Sequence, residues 1–259
     1  QFNVIRNYYR DDPLAQMAEL AIADVYFQKA EWDLARYSYD DFRRRLLKGR
    51  EEMYGAIPIP DGGVWVDMGG GTGSNLEYLS SSIDRMKSVY VVDLSQSLLD
   101  VALRRIADHG WSNVHPCAAD ATQFKPDEPV DLVTFSYSIT MIPDWFAAVQ
   151  NAIKMLRPGG HIGVVDFYVS RKYPRDNGRK HSWFTRNFWP LWMGNDNVFP
   201  CADHLPFLQH HLEEVELLEH TAKIPYLPLI RAPYYIFVGK KLPAVTTQSR
   251  FENEGSFAS

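Results

Sequence analysis

A glycine-rich stretch constrains the fold of this chain more than any other part of its sequence. Residues 64–75 read Val-Trp-Val-Asp-Met-Gly-Gly-Gly-Thr-Gly-Ser-Asn, an apolar run that ends in an acid and continues into a glycine cluster. This order is typical of a buried strand, a tight turn and the start of a helix. Glycine permits positive φ and lets a ligand approach the backbone where a Cβ would collide. We therefore expect a nucleotide-like ligand over this turn.

A second acid indicates which part of the ligand is bound. Asp93 ends another β-branched run and follows Gly73 by 20 residues. That spacing suits a carboxylate at the tip of the neighbouring parallel strand, where it accepts hydrogen bonds from a ribose diol. Read from Gly71, the pattern G-x-G-x-x-G has Leu76 at its third glycine, so the pyrophosphate-binding fingerprint is incomplete. An adenosine ligand without phosphates is predicted, which favours S-adenosylmethionine over NAD.

Further motifs follow in order, and with them the chain resembles the class I S-adenosylmethionine-dependent methyltransferases. The matching segments are residues 64–75, 88–93, 117–122, 131–138 and 156–166. The resemblance implies an α/β fold, a Rossmann-like seven-stranded and mostly parallel sheet with helices on both faces. It implies S-adenosyl-L-methionine as cofactor and S-adenosyl-L-homocysteine as product.

The same resemblance assigns cofactor contacts residue by residue. Asp120 is similar to the family's adenine-amine acceptor, with Ala121 beside it as a backbone donor. Tyr39 is expected to bind the methionine carboxylate, and Arg50 is a second candidate for it. The alternative for Arg50 and its basic neighbours is a solvated helix face. The full predicted cofactor set is Tyr39, Arg50, Asp67, Gly69, Gly71, Gly73, Asp93, Leu94, Asp120, Ala121 and Ser136.

Composition limits the remaining possibilities. The chain has 259 residues, 46% of them hydrophobic, enough for one substantial core. Its net charge of −5 argues against nucleic acid as a partner. Cys117 and Cys201 provide no disulfide framework. No apolar run approaches the ~20 residues of a membrane span, and no secretory leader is visible.

Three regions are predicted along the chain. Residues 1–60 form an N-terminal helical lid, whose second helix runs from about Tyr39 to Tyr54. Residues 61–242 form the methyltransferase core, with a loop-rich aromatic and basic insertion at about 170–211. The last two strands are predicted at Glu214–Leu218 and Tyr234–Val238. The resemblance implies that the final one is antiparallel. Residues 243–259 are expected to be a linker or a disordered tail.

The methyl acceptor is expected beside the end of the fourth strand, at Tyr137 and Ser138. Transfer from a sulfonium to an amine moves a positive charge without creating one, and aromatic faces hold such a charge at ~0.5–2 kcal/mol per ring. Oxygen or carbon acceptors call for a base or a metal. Because 14% of the residues are aromatic, an amine acceptor is favoured. The predicted substrate set is Tyr137, Ser138, Met141, Tyr168, Trp183 and Tyr235.

The sequence offers three candidate bases but no metal site. Asp166, Tyr137 and His181 are the candidate catalytic bases, with Asp166 also placed to end a strand and orient its neighbours. His181, His204, His210 and His211 match no metal-ligand spacing, so no metal is predicted.

A narrower resemblance concerns the acceptor. Residues 39–53, 64–75 and 166–169 are similar to the methyltransferase half of eukaryotic betaine-lipid synthases, which make diacylglyceryl-trimethylhomoserine. This implies an amino-lipid substrate, a covalently linked aminocarboxypropyl-transferase domain, and a peripheral position on the cytoplasmic side of an endomembrane such as the endoplasmic reticulum. The alternatives are a soluble phosphobase or quinone-like ring as acceptor, and a non-catalytic module that binds the cofactor.

The insertion also predicts a peripheral membrane contact. Its basic residues Arg171, Lys172, Arg175, Arg179 and Lys180 lie close in sequence to a run of aromatic residues that begins at Trp183. Basic residues near an anionic surface contribute about 1 kcal/mol each, and aromatic rings favour the interface level. The alternative is a lid with solvated charges.

Overall fold

The computed structural model describes residues 46–175, 178–224 and 227–243, with the backbone alone at residues 227–229. The first lid helix, Tyr39 and most of the tail lie outside the described residues. The helices are α1 (Arg50–Ala56), α2 (Ser80–Ile83), α3 (Gln96–His109), α4 (Trp145–Met155), α5 (Trp183–Met193) and α6 (His204–His211). The strands are β1 (Val64–Met68), β2 (Ser88–Asp93), β3 (Val114–Ala118), β4 (Val130–Ser136), β5 (Leu156–Phe167), β6 (Glu213–Ile224) and β7 (Leu227–Lys240). Short 3₁₀ turns occupy Ser74–Leu79, Ile139–Met141 and Gly194–Asp196.

The strands form one seven-stranded sheet in the order β3-β2-β1-β4-β5-β7-β6. Strands β1 to β5 are parallel, and β7 pairs antiparallel with both β5 and β6. This confirms the predicted Rossmann-like fold and its antiparallel final strand. The order reverses between β1 and β4, which is where open α/β sheets bind ligands outside their carboxyl ends.

Two apolar cores flank the sheet because β1 is buried on both faces. Val64, Val66 and Met68 point into one core, and Trp65 points into the other. A strand covered on both sides reads as a continuous apolar run, as this one does. Asp67 interrupts the run and is itself fully buried.

Four predicted elements differ from those observed. The last two strands are longer than expected, and the loop-rich stretch predicted at about 170–211 contains α5 and α6. The predicted helix from Tyr39 to Tyr54 is interrupted at Gly49, which has φ +82° and precedes α1. A Cβ at Gly49 would lie 2.6 Å from Cε2 of Tyr234, so close packing against β7 sets the break. No helix among the described residues is long and apolar enough to cross a bilayer.

A chain of buried hydrogen bonds joins the first and fourth strands. Trp65 Nε1 donates to Thr134 Oγ1 at 2.8 Å, and that hydroxyl donates to Asp67 Oδ1 at 2.7 Å. Asn75 Nδ2 donates to Asp67 Oδ2 at 2.9 Å. Both carboxylate oxygens of Asp67 are therefore engaged inside the sheet.

We expect Thr134→Val to lower the free energy of unfolding by about 1–3 kcal/mol. The substitution keeps the side-chain shape but leaves the Trp65 indole N–H and the Asp67 carboxyl without their partner, and unsatisfied buried groups cost about that much. Urea titration followed by circular dichroism measures the change. Thr221→Val on β6 is the matched control and should change stability by no more than about 0.5 kcal/mol. Equal losses in the two variants would contradict the role given to Thr134.

Candidate functional site

The glycine turn after β1 is fixed against the ends of two neighbouring strands. The backbone N–H groups of Gly69 and Gly70 donate to the Val92 carbonyl at 2.8 and 3.1 Å. Gly69 has φ +69°, and a Cβ there would lie 2.5 Å from Cβ of Ser138. Ser138 Oγ in turn donates to the Met68 carbonyl at 2.7 Å. The carboxyl ends of β1, β2 and β4 thus meet at one rigid point.

Asp93 lies at this point with part of its carboxylate already used. Gly71 N donates to Asp93 Oδ2 at 2.9 Å, and Ser95 N donates to Oδ1 at 2.8 Å. A carboxylate has about four acceptor positions, so two remain for ligand hydroxyls. Gly71 has φ +55°, and a Cβ there would lie 3.8 Å from Asp93 Oδ2. The missing Cβ leaves room beside the carboxylate, which fits a ribose diol.

The expected adenine position is formed by the residues after β2 and β3. Asp120 Oδ1 accepts a hydrogen bond from Thr122 N at 2.8 Å, and no described residue donates to its second carboxyl oxygen. Asn151 Nδ2 donates to the Ala121 carbonyl at 2.9 Å and holds this turn. Leu94, next to Asp93, is 75% exposed at the rim. An acceptor oxygen and an exposed apolar side chain are the groups that a purine edge and face require.

Arg50 places a buried positive charge near Tyr137. Its guanidinium carbon lies 5.8 Å from the centre of the Tyr137 ring, and the side chain is only 4% exposed. Burial raises the pKa of Asp67, while the Arg50 charge partly lowers it. Arg50 is thus not on a solvated helix face.

Tyr137 occupies the predicted position at the end of β4 in a strained backbone conformation, with φ +54°. Its N–H donates to the Val165 carbonyl at 2.8 Å, and its hydroxyl donates to the Lys48 carbonyl at 2.6 Å. Burial raises the pKa of the hydroxyl well above its ordinary value. The hydroxyl therefore links the segment before α1 to the sheet and remains protonated at neutral pH.

Asp166 is fully buried at the end of β5. Thr140 donates to it through Oγ1 at 2.7 Å and through its backbone N at 3.2 Å. Phe167 N donates at 2.8 Å. Burial raises the pKa of Asp166 to about 6, although these hydrogen bonds oppose the shift. These hydrogen bonds orient the turn after β4 and leave the carboxyl fully buried.

His181 lies in a separate polar network. Its Nδ1 accepts from Ser170 N at 3.0 Å, and its ring contacts Tyr168 at 4.9 Å between centroids. Burial lowers the pKa of His181 to about 4. The Tyr168 hydroxyl is hydrogen-bonded to Glu219, and Tyr168 lines a cavity of about 370 Å³ together with Arg171 and other residues.

The predicted substrate residues are not brought together. Tyr137 packs into the same core as Trp189 and Met193, whereas Tyr168 and Tyr235 pack into the core on the opposite face of the sheet. Tyr235 is completely buried. Met141 and Trp183 are exposed, at 53% and 72%. Of the six, Ser138 contacts the glycine turn directly and Tyr137 precedes Ser138 in the chain, and the role of the set in binding substrate stays a prediction.

Three supporting residues were missed by the sequence analysis: Asn75, Thr134 and Thr140. The first two hold Asp67, and the third holds Asp166. Thr134 was visible as a hydroxyl inside an apolar strand, and Asn75 as the amide eight residues after Asp67. Among the residues that the structure describes, no group of His, Cys, Asp or Glu could hold a metal ion.

Comparison with known proteins agrees with this geometry. Residues 66–160 match the family model described as "Methyltransferase domain". The chain is similar to the ubiquinone/menaquinone biosynthesis C-methyltransferase UbiE of Vibrio campbellii, with 31% identity over 104 residues, 39% of this chain and 40% of that protein. The protein of the same name from Ectopseudomonas mendocina is 29% identical over 163 residues, 61% of this chain and 62% of the relative. The chain thus spans less than two thirds of these relatives.

One solved structure extends the comparison. The N-methyltransferase NodS from Bradyrhizobium japonicum, in complex with S-adenosyl-L-homocysteine, has a TM-score of 0.51 and 18% identity, over 69% of this chain and 78% of that chain. At this identity the likeness concerns the fold. The family's cofactor is S-adenosylmethionine, as predicted. Residues 66–160 match a methyltransferase domain, and the sheet order and the glycine turn agree with the class I, S-adenosylmethionine-dependent fold.

Proposed function

We propose that this chain transfers the methyl group of S-adenosylmethionine to an acceptor that enters beside the end of β4. The observation that carries the proposal is the Asp93 carboxylate, which two loop amides hold in place while half of its acceptor positions stay available. The match of residues 66–160 to the methyltransferase family model supports it.

The chain's own residues would bind and orient the two reactants. Asp93 would hold the ribose, Asp120 the adenine amine and Arg50 the methionine carboxylate. The cofactor supplies an activated methyl group on a sulfonium. Proximity then provides most of the acceleration, because well-oriented reactants reach effective molarities of about 10⁵–10⁸ M.

The comparisons favour a quinone-like ring carbon as the acceptor. The two relatives reported above are C-methyltransferases of ubiquinone and menaquinone biosynthesis, and one of the matches extends over 163 residues. A ring carbon attacks as an electron-rich phenolate, so this acceptor needs a base near its hydroxyl.

A second acceptor, the headgroup amine of diacylglyceryl-homoserine, is favoured by the state of the three candidate bases. The Tyr137 hydroxyl is bonded to the Lys48 carbonyl, Asp166 is enclosed by Thr140 and Phe167, and His181 lies in another network. A neutral amine needs no base for the attack itself. The resemblance of residues 39–53 to betaine-lipid synthases supports the same acceptor, and with it the linked aminocarboxypropyl-transferase domain and the endomembrane position.

Product analysis separates these acceptors. The full chain is incubated with S-adenosylmethionine carrying a deuterated methyl group and with either a demethylated polyprenyl quinol or diacylglyceryl-homoserine, and the products are identified by mass spectrometry. We expect label on one of the two acceptors. Label on the ring carbon supports the first candidate, and up to three methyl groups on nitrogen support the second. Calorimetric binding of the cofactor without any transfer would contradict the proposal and favour a binding module.

We expect Asp93→Ala to weaken cofactor binding at least tenfold. Each hydrogen bond to a charged group contributes about 1.5–3 kcal/mol, and two ribose hydroxyls would lose their acceptor. Isothermal titration calorimetry with S-adenosylmethionine measures the change, and circular dichroism checks the fold. Asp127→Ala removes one exposed carboxylate elsewhere and should leave the affinity unchanged. If both variants bind as the unchanged chain does, Asp93 is not the ribose ligand.

We expect Asp166→Asn to change the pH dependence of stability more than the rate of methyl transfer. The raised pKa of Asp166, about 6, means that its favourable contribution is complete below pH ~3.8 and is lost as the pH rises through 6. Relative to the Asn variant, the unchanged chain should lose about 3 kcal/mol of unfolding free energy across that window.

Two measurements complete this test. Urea unfolding at a series of pH values gives the stability difference, with Asp127→Asn as the control that should show none. The turnover number should fall by less than the 10²–10⁴-fold that removal of a general base causes. A larger loss of turnover, together with a flat stability difference, would assign the proton transfer to Asp166.

A further inference from the structure

The chain between residues 172 and 191 combines exposed apolar side chains, most of them aromatic, with basic ones. The set comprises Lys172, Tyr173, Lys180, Trp183, Phe184 and Leu191, and is called here the aromatic–basic surface. Tyr173, Trp183 and Leu191 are each more than 70% exposed. Single exposed apolar residues are ordinary in proteins, but several large ones together mark an interaction site.

Helix α5 is anchored in the fold by residues other than its exposed aromatic and apolar ones. Trp189 and Met193 are buried and anchor the helix in the core. Phe184, Phe188 and Leu191 follow the spacing i, i+4, i+7 and form a second apolar stripe, in which Phe184 and Leu191 face solvent. The rings of Phe184 and Phe188 stack at 4.9 Å. A surface helix normally carries polar residues on its outer face, so within the described part of the chain Phe184 and Leu191 leave this stripe partly uncovered.

Two lysines are attached to the same surface through Tyr173. The ammonium groups of Lys172 and Lys180 lie 5.3 and 5.9 Å from the centre of its ring. In the part of the chain that the structure describes, neither lysine forms an ion pair, whereas Arg171 is paired with Asp203. The chain as a whole is acidic, with net charge −5, so this positive cluster runs against the overall charge.

The segment that carries this surface begins at the edge of the sheet where the glycine turn lies. Strand β5 ends at Phe167 on the edge where the parallel strands present their carboxyl ends, and residues 168–193 follow directly. The segment that carries the aromatic–basic surface therefore leaves the sheet at the same edge as the glycine turn.

We propose that the aromatic–basic surface docks on an anionic lipid bilayer. Trp and Tyr rings favour the interface between headgroups and hydrocarbon, and lysines are attracted by anionic headgroups. An acidic protein would satisfy the lysines but would not require a solvent-facing stripe of Phe and Leu beside Trp. The inference does not depend on which acceptor is methylated, and its test measures binding without turnover.

The test is sedimentation of the full chain with phosphatidylcholine vesicles that contain or lack phosphatidylserine, at low and at high salt. We expect binding only to the anionic vesicles, and less of it at high salt because screening weakens the attraction. Lys172→Gln with Lys180→Gln should weaken the partition by roughly fivefold per lysine. Lys125→Gln with Lys154→Gln makes the same charge change at exposed sites elsewhere and should leave the partition unaltered.

The apolar part is tested in the same assay. Trp183→Ala with Phe184→Ala should weaken the partition roughly tenfold or more, since each buried aromatic side chain contributes about that factor. Leu103→Ala with Leu242→Ala removes exposed apolar groups elsewhere and is the control. The proposal is overturned if the chain stays in the supernatant with anionic vesicles. It is also overturned if the control pairs weaken binding as much as the test pairs, or if polyglutamate binds the surface while vesicles do not.

Discussion

The buried carboxylate of Asp67 is the interaction on which the rest of the site depends. A carboxylate inside a sheet loses its hydration, and that cost is offset only by well-placed donors. Thr134 and Asn75 provide them, one from the neighbouring strand and one from the turn itself. A Cβ at Gly70 would lie 2.8 Å from Asp67 Oδ2, so the carboxylate also dictates how closely the turn must wrap around it. The path of the glycine turn thus follows from one buried acid.

The groups around the glycine turn come from two parts of the fold. The ends of β1, β2 and β4 fix Asp67, Asp93 and Ser138 relative to one another through backbone hydrogen bonds. Groups that recognise a ribose gain from such rigidity, because no ordering cost remains when the ligand binds. Arg50 comes from α1, outside the parallel part of the fold, and reaches the same point over Tyr137.

The sequence is more informative about the expected cofactor half of the site because that half is local. A strand, a turn and the following acid are read directly from residues 64–75 and from Asp93, and the sheet order brings them together. The acceptor half depends on which face of the sheet a side chain occupies. Tyr137 and Tyr235 reach opposite cores although both lie on neighbouring parts of the sheet, and spacing along the chain does not reveal this. The break at Gly49 likewise depends on a distant contact with Tyr234.

The matches to known proteins say more about the cofactor than about the acceptor, because they cover only part of the chain. The family model covers residues 66–160 and ends before Asp166, α5 and the antiparallel strands. The core around Tyr137 is completed by Trp189 and Met193, which belong to α5 and lie beyond that match. The surroundings of Tyr137 are therefore shaped in part by residues outside the matched segment. Through Trp189 and Met193, α5 belongs to that core, while its outer face carries the exposed Phe184 and Leu191.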